Sequence, residues 1–300
     1  MQPFTFYLDF YLSGQFAGLC WAQEKGLYAQ AGLAVDLCSR GGRSILDEVA
    51  DGALCAGSSE DNCLITANIA GRSFRALGAM LQETPLVLMT RPTSGIQTLA
   101  DLPGRRVGMH VDGIRILEAV LELEGVDRST IEITQVDFDL DNLARDRFDA
   151  VQGYAMAEPI ELAAMGVDVH LIPIRHAELH PYAQVFFATE ACIARAPEVF
   201  RRFLQASFEG WRRAMADRDE AARVVMALAQ DYGTLTTERQ VIEAMQPYVA
   251  GDVGLQRFGN LDPARWARNL ASYARFGITP RQLTLKETVD DQFLKAIYED

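Results

Sequence analysis

Short apolar runs alternate with amphipathic stretches along the first two thirds of the chain. A period of two predicts strands, and a period near 3.6 predicts helices. In the first cycle this pattern predicts strands at Phe4–Phe10, Leu33–Cys38, Ala53–Ala56, Phe74–Leu81 and Leu86–Thr90, and helices at Gly14–Gln30, Gly42–Ala50 and Ser59–Ala70. Ser59 is the expected N-cap of the last of these helices, because a serine hydroxyl can accept a hydrogen bond from the first helical turn.

A second cycle follows the breaker cluster Arg91-Pro-Thr-Ser-Gly95. It predicts strands at Val107–His110, Ile131–Val136, Ala150–Gln152, Val169–Ile172 and Tyr182–Ala188, and helices at Gly113–Glu124, Leu140–Arg145 and Glu158–Met165. From Pro197 onward the pattern is almost wholly helical, with helices predicted at Glu198–Ala216, Asp219–Ala229, Thr237–Met245 and Pro263–Phe276.

Strands that alternate with helices predict parallel sheets covered by helices on both faces. Because the cycle occurs twice, we expect an α/β protein of two lobes. Residues 1–91 and 189–300 would form lobe 1, with the helical tail packed on it, and residues 92–188 would form lobe 2. The chain would then cross between the lobes twice, which makes a hinge with a ligand cleft beside it. In such sheets ligands bind beyond the carboxyl ends of the strands.

Composition narrows the function classes. The chain has 300 residues, of which 49% are hydrophobic, so it can bury a substantial core. Its net charge of −13 argues against a nucleic-acid partner, which requires a basic surface. No apolar run approaches the roughly 20 residues that span a bilayer. Five cysteines without a C-x-x-C motif predict buried free thiols.

The loop after the first strand carries the first candidate ligand contacts, Asp9, Phe10 and Tyr11. The Asp9 carboxylate can accept hydrogen bonds from an amine or amidine, and either aromatic ring can stack on a ligand ring. The alternative is a surface loop with a capping carboxylate.

The loop after the second strand, Ser39-Arg40-Gly-Gly-Arg-Ser44, is a candidate anion site. Backbone N–H groups at Gly41 would face the anion at a helix start, and Arg43 or Arg40 would add a bidentate grip. A tight turn without a ligand explains the same pattern. The spacing is not that of a P-loop, which needs G-x-x-x-x-G-K-[ST].

Further candidates follow the other strands of the first cycle. Ser58 and Ser59 either cap the next helix or contact a ligand. Glu83, next to Gln82, follows the fourth strand, and Tyr182 lies at the return crossover, so these residues are expected in the cleft wall.

In lobe 2 the candidates are His110, Asp112 and Gly113, at a predicted helix start, and Tyr154 and Glu158, after a strand. N–H groups at the helix start suit a carboxylate, sulfonate or phosphate. His110 is either a ligand donor or a satisfied structural histidine, and Glu158 either lines the cleft or starts a helix.

No metal site is expected. The two histidines of His176-Ala-Glu-Leu-His180 lack the glutamate of H-E-x-x-H, and a solvated loop explains them. The acidic stretch from Asp137 lacks the glycine and glutamate of a calcium loop.

Four stretches, in order, resemble the substrate-binding proteins of the thiamine-precursor, sulfonate and taurine group, the NMT1/THI5-like family. They are Phe16–Leu33 with its Lys25-Gly-Leu-Tyr motif, Thr98–Gly108 with Asp101-Leu-Pro-Gly, Asp149-Ala with Tyr154 and Glu158-Pro, and Ala194–Leu204. The resemblance implies a type II periplasmic-binding-protein fold, a ligand contact at Glu60 and the adjacent serines, and a cleft-facing helix start at Gly113.

Most members of this family deliver a small ligand to an ABC-transporter permease, and a minority synthesise the thiamine pyrimidine from pyridoxal phosphate. Those enzymes carry a C-C-C-F-C run and a lysine that holds the pyridoxal. Here the corresponding region holds Cys192 alone, and no lysine lies between Lys25 and Lys286. A Schiff base needs an amine. The sequence therefore lacks the residues on which the chemistry of these enzymes depends, and no cofactor is expected.

Carboxylates outnumber cations among the candidates, which favours an amine-bearing heterocycle, such as a thiamine pyrimidine precursor, over a sulfonate. The alternatives are a cytoplasmic enzyme on the same fold, either a pyrimidine synthase or a cofactor-free lyase, and a ligand-sensing domain. We expect a monomer or weak dimer. It would be extracytoplasmic if a leader was removed and cytoplasmic if Met1 is the native start.

Overall fold

The computed structural model describes residues 1–40, 44–229 and 233–299. Its strands are β1 (Gln2–Tyr7), β2 (Leu33–Cys38), β3 (Cys55–Ser59), β4 (Phe74–Leu81), β5 (Leu86–Thr90), β6 (Arg106–Met109), β7 (Glu132–Gln135), β8 (Ala150–Tyr154), β9 (His170–Pro173) and β10 (Ala183–Thr189).

The α-helices are α1 (Ala17–Glu24), α2 (Leu27–Gln30), α3 (Ile45–Asp51), α4 (Asp61–Ile69), α5 (Ile114–Leu123), α6 (Asp141–Ala144), α7 (Glu158–Ala164), α8 (Glu190–Arg195), α9 (Pro197–Ala216), α10 (Arg218–Leu228), α11 (Leu235–Ala244), α12 (Gln246–Ala250), α13 (Pro263–Arg275), α14 (Leu285–Thr288) and α15 (Gln292–Tyr298). Short 3-10 helices lie at Gly14–Phe16, Pro92–Ser94, Leu99–Asp101, Arg128–Thr130 and Leu255–Arg257.

Two five-stranded sheets form the two lobes. Lobe 1 has the strand order β2-β1-β3-β10-β4, and lobe 2 has the order β7-β6-β8-β5-β9. In each sheet four strands run in the same direction, and the fourth in order, β10 or β5, is antiparallel to both of its neighbours. Both sheets are therefore mixed and not fully parallel as predicted. The two α/β lobes confirm the predicted fold class.

The strand pairing corrects the expected division of the chain at two places. Leu86–Thr90, which the sequence places in lobe 1, pairs with β8 and β9 of lobe 2. Ala183–Thr189 extends a strand assigned to lobe 2 but pairs with β3 and β4 of lobe 1. Both strands are almost entirely buried, and a fully apolar run does not indicate which of two sheets it joins. The two crossovers therefore precede β5 and β10.

Local signals explain where several elements end. The predicted helix over Gly14–Gln30 is broken at Gly26, whose φ of 72° lies in the left-handed region that ends helices. The strand predicted to reach Phe10 stops at Tyr7, which leaves Asp9 in a loop. Ser59 is the last residue of β3 and not the helix cap, because Glu60 holds the N-cap position of α4.

The helical tail packs against lobe 1. Phe203 of α9 lies 4.6 Å from Phe4 and 5.2 Å from Phe6, measured between ring centroids. Helices α1 and α9 approach so closely that a Cβ on Gly210 would lie 2.2 Å from the carbonyl oxygen of Gly18. Near the end of the chain, the N–H of Asp290 donates a hydrogen bond to a carbonyl of β4.

In the part of the chain that the structure describes, no helix is both long and apolar enough to cross a membrane. Residues Cys20, Cys55 and Cys192 are buried, residues Cys38 and Cys63 are partly exposed, and all five thiols are free.

Candidate functional site

A cleft of about 260 Å³ lies between the two lobes. Its walls come from the loops and helix starts at the facing edges of the two sheets. They are lined by Asp9, Phe10, Gln15, Arg40, Ser44, Ile45, Leu46, Ser59, Glu60, Cys63, His110, Val111, Asp112, Phe138, Gln152, Tyr154, Glu158 and Gln184. Eight of the ligand contacts predicted from the sequence lie in this lining: Asp9, Phe10, Ser59, Glu60, His110, Asp112, Tyr154 and Glu158.

Asp9 is held in place by a serine of the neighbouring strand. The hydroxyl of Ser58 donates a hydrogen bond to Asp9 Oδ1 over 2.7 Å, and the backbone N–H of Asp9 donates to Ser58 Oγ over 3.2 Å. Burial of the carboxyl group, with a further contribution from Asp112 across the cleft, raises the pKa of Asp9 to about 6. Asp9 therefore changes charge near neutral pH.

Glu60 joins the two lobes. Its Oε1 accepts a hydrogen bond from the hydroxyl of Tyr154 in lobe 2, and its Oε2 accepts one from the backbone N–H of Gln184 over 3.2 Å. Burial, followed by the nearby charges of Asp9 and Asp112, raises the pKa of Glu60 well above its usual range. A cation that entered the cleft would stabilise the ionised form of this group.

The lobe 2 side of the cleft is built around Gln152 of β8. Gln152 Oε1 accepts the backbone N–H of His110 over 3.0 Å, and Gln152 Nε2 lies 3.4 Å from Asp112 Oδ2. Across the cleft, Asn62 Nδ2 donates to the carbonyl oxygen of Asp112 over 2.8 Å. Burial lowers the pKa of His110, which favours the neutral imidazole at neutral pH.

Glu158 begins α7 and also reaches the cleft. Its Oε2 accepts the backbone N–H of Tyr154 over 2.8 Å. Burial raises the pKa of this carboxyl group to about 7. Both interpretations of Glu158 thus apply, since one side chain starts a helix and lines the cleft.

Aromatic rings form the apolar walls. Phe10 of lobe 1 meets Phe138 of lobe 2 edge to face at 5.1 Å, and His110 lies 4.1 Å from the same phenylalanine. The guanidinium of Arg40 sits 4.8 Å above the Phe138 ring. Arg40 is the one permanently charged cation among the described residues that line the cleft. The cleft can therefore enclose a flat ring between apolar surfaces and a set of carboxyl oxygens.

Five predicted residues lie elsewhere. Tyr11 is 46% exposed. Ser58 is buried beneath Asp9 and acts on the cleft through that residue. Gly113 packs against Gln152, with no room for a side chain, and is not part of the lining.

Glu83 is not among the residues that line the cleft, and its carboxylate lies 2.8 Å from the imidazole of His180. Tyr182 is buried in the hinge, where it stacks on Trp266 and lies under the guanidinium of Arg265. The predicted anion-site residues Gly41 and Arg43 fall outside the described residues.

The cleft is also lined by five residues that were not predicted from the sequence: Gln15, Cys63, Phe138, Gln152 and Gln184. Gln184 stands at the amino end of β10, and an antiparallel strand brings its amino end to the edge where the parallel strands have their carboxyl ends. A search restricted to the carboxyl ends of strands does not find a residue at the amino end of an antiparallel strand. Phe138 follows β7 by three positions, and the strand-end argument applied to that strand would have found it.

No lysine lies among the described residues that line the cleft, and the one thiol there is that of Cys63. The three lysines of the chain are elsewhere: Lys25 pairs with Glu220, Lys295 pairs with Asp291, and Lys286 lines a separate surface cavity. Burial, followed by nearby carboxylates, raises the pKa of the Cys63 thiol well above its usual range. A thiol with a raised pKa is a weak nucleophile.

Two curated relatives share low identity over much of the chain. The riboflavin-binding protein RibY of Chloroflexus aurantiacus is 23% identical over 98% of this chain and 86% of its own length. A 4-amino-5-hydroxymethyl-2-methylpyrimidine phosphate synthase of Legionella pneumophila is 24% identical over 69% of this chain and 67% of its own length.

Among solved structures, the periplasmic aliphatic sulphonate binding protein SsuA of Escherichia coli superimposes with a TM-score of 0.74 at 14% identity, over the whole of both chains. This likeness shows the fold. The family model described as NMT1/THI5 like matches residues 13–221, which is more than half of the chain. The protein therefore belongs to the NMT1/THI5-like family.

Proposed function

We propose that this protein is the solute-binding component of an ABC importer and that it captures an amine-bearing aromatic heterocycle, such as an aminopyrimidine precursor of thiamine. The protein would then act outside the cytoplasm and deliver its ligand to a membrane permease.

The composition of the cleft is the observation that carries this proposal. Four carboxyl groups, those of Asp9, Glu60, Asp112 and Glu158, face a space walled by aromatic rings. An ionised carboxyl group only accepts hydrogen bonds, and a ligand that brings N–H groups on a flat ring complements such groups. A sulfonate would meet these carboxyl groups with Arg40 as its one permanently charged partner among the described lining residues.

The relatives support a nitrogen heterocycle. One is named for binding riboflavin, and the other for making a pyrimidine phosphate. The sulphonate-binding protein that shares the fold is only 14% identical to this chain, so its ligand gives no guide to the ligand here.

Contacts across the cleft suggest how a ligand would be enclosed. Lobe 1 touches lobe 2 through the Glu60–Tyr154 hydrogen bond, the Asn62–Asp112 hydrogen bond and the ring contact of Phe10. A ligand that binds both walls favours the form in which these contacts are made, which is a population shift. We infer that the lobes move about the two crossovers that precede β5 and β10.

Thermal shift against a small panel tests the proposal. A ligand raises the melting temperature according to its concentration relative to its Kd. We expect 4-amino-5-hydroxymethyl-2-methylpyrimidine to stabilise the wild-type protein and taurine to leave it unchanged, with riboflavin included as the larger heterocycle.

The matched variants are Asp9→Asn, in the cleft, and Asp168→Asn, at an exposed position outside it. Only the first should reduce the stabilisation. Stabilisation by taurine, with none by either heterocycle, would contradict the proposed ligand class.

A further inference from the structure

Gln184 has an unusual backbone conformation for a residue inside a strand. Its φ is 49°, in the left-handed region, and it is one of two non-glycine residues with positive φ in the described part of the chain. Residues other than glycine, asparagine and aspartate rarely adopt this backbone conformation, and it persists only where the surrounding structure enforces it. Such residues are concentrated at ligand sites.

The surroundings of Gln184 lie at the lobe 1 side of the cleft. The residue is fully buried, yet it lines the cleft. Its backbone N–H points at Glu60 Oε2 over 3.2 Å, and its side-chain Nε2 lies 3.3 Å from Oε1 of Gln15, which also lines the cleft. Gln15 thus fixes the amide, and Glu60 fixes the backbone.

One polar atom of Gln184 has no hydrogen-bond partner among the described residues. This atom is Oε1, and it is buried. Buried amide oxygens are nearly always paired, so a single unpaired one beside a cleft calls for an explanation. Because Gln184 Nε2 is engaged by Gln15, the group that remains for a ligand is an acceptor.

We propose that Gln184 is a specificity-determining residue whose Oε1 accepts an N–H from the ligand's amino group, next to the carboxylate of Glu60. The inference rests on the proposed function and deepens it, because it assigns the amino group to the lobe 1 side of the cleft. A ligand of the same shape that lacks the N–H leaves a buried acceptor unpaired, and sites built this way reject such analogues.

A pair of isosteric probes tests this assignment. The probes are 4-amino-5-hydroxymethyl-2-methylpyrimidine and its analogue with a methyl group in place of the 4-amino group, and the measurement is the Kd of each by calorimetry. We expect the wild-type protein to prefer the amino probe by about tenfold or more. Because the two probes have nearly the same shape, steric exclusion does not account for such a preference.

Two variants then assign the preference to one atom. Gln184→Met keeps the length of the side chain and removes the acceptor, so the preference should fall to about threefold or less. Gln184→Glu, measured at pH 5, retains an acceptor and, when protonated, a donor toward Gln15, so the preference should return. Melting temperatures of the ligand-free variants show that the fold is retained.

The outcomes separate this inference from the proposed function. A full preference in Gln184→Met overturns the role of Gln184 and leaves the ligand class standing. Equal affinity of the wild-type protein for both probes overturns the role of Gln184 and the recognition of the amino group together. Binding of taurine without binding of either pyrimidine overturns both.

Discussion

At the scale of single residues, buried carboxyl groups dominate the cleft. Burial is the largest cause of the raised pKa of Asp9, Glu60 and Glu158. Such groups are costly to ionise alone and favourable partners for a cation, since a bound cation replaces the lost solvation. The ionisation of these residues therefore couples ligand affinity and stability to pH.

Affinity for a cation should rise with pH. Benzamidine, an aromatic amidine that stays protonated between pH 5 and 8, is a suitable probe. Asp9 is mostly neutral below its pKa of about 6 and ionised above it. We therefore expect the affinity of the protein for benzamidine to increase about tenfold from pH 5 to pH 7 and then to level off. Calorimetry at a series of pH values measures this change.

Asp9→Asn should flatten that profile, and the exposed control Asp168→Asn should leave it unchanged. An affinity that falls with rising pH would show that the carboxyl groups do not bind the cation.

The stability of the ligand-free protein should fall as pH rises. Burial raises the pKa of Glu238, whose Oε2 accepts the N–H of Gly14, to about 7. Because this folded-state pKa lies above the ordinary value of 4.5, the folded state binds the proton more tightly than the unfolded state. Its contribution to stability is present at low pH and is lost between about pH 4.5 and 7.

Urea unfolding at pH 5 and pH 8 measures this loss. Each tenfold change in proton affinity corresponds to about 1.4 kcal/mol, so Glu238→Gln should reduce the difference between the two pH values by at least about 1 kcal/mol. Glu243→Gln, on the exposed face of the same helix, is the control. An unchanged difference in Glu238→Gln would place the pH dependence elsewhere.

At the scale of elements, helix α13 holds both crossovers. The guanidinium of Arg265 donates hydrogen bonds to the carbonyl oxygens of Gln82, in the first crossover, and of His180 and Pro181, in the second. It also lies 3.7 Å from the ring centroid of Tyr182. One buried side chain therefore ties together the segments about which the lobes would move.

Removal of that side chain should destabilise the protein. Arg265→Ala removes the side-chain donor to the buried carbonyl oxygens of Gln82 and Pro181, whereas that of His180 keeps its bond from Asn269. We expect a loss of about 3 kcal/mol in the free energy of unfolding. Arg268→Ala, at an exposed position on the same helix, should change it by less than about 0.5 kcal/mol. Hydrogen exchange should also quicken in both crossovers, and unaltered exchange there would contradict this role.

The bounds of the strands were easier to predict from the sequence than the sheet that each strand joins. Strands such as Leu33–Cys38 and Phe74–Leu81 have the predicted bounds, because local hydrophobic pattern decides them. The sheet that β5 or β10 joins depends on contacts distant in sequence, and an apolar run does not encode it. The same limit hid Gln184, since its place at the cleft depends on the direction in which β10 runs.

At the scale of the whole molecule, the two lobes meet around the ligand space. The Tyr154 hydroxyl and Glu60 form a direct hydrogen bond between them. If the ligand binds the closed form of the lobes better, this hydrogen bond increases the affinity by stabilising the closed form. It does so without a direct contact between the Tyr154 hydroxyl and the ligand.

Tyr154→Phe should weaken closure and keep the aromatic wall. A hydrogen bond to a carboxylate contributes about 1.5 kcal/mol, so the Kd for the aminopyrimidine should rise about tenfold. Small-angle scattering of the ligand-free variant should show a larger radius of gyration than that of the wild-type protein. An unchanged radius and Kd would mean that this bond has no part in closure.

At this scale, the proposed function requires that the cleft bind an amine-bearing heterocycle. Its most direct test is a calorimetric titration of wild-type protein with 4-amino-5-hydroxymethyl-2-methylpyrimidine, repeated in an excess of taurine. We expect saturable binding of one ligand per chain that taurine does not alter. Binding of taurine in the cleft, with no heat from the pyrimidine, would contradict it.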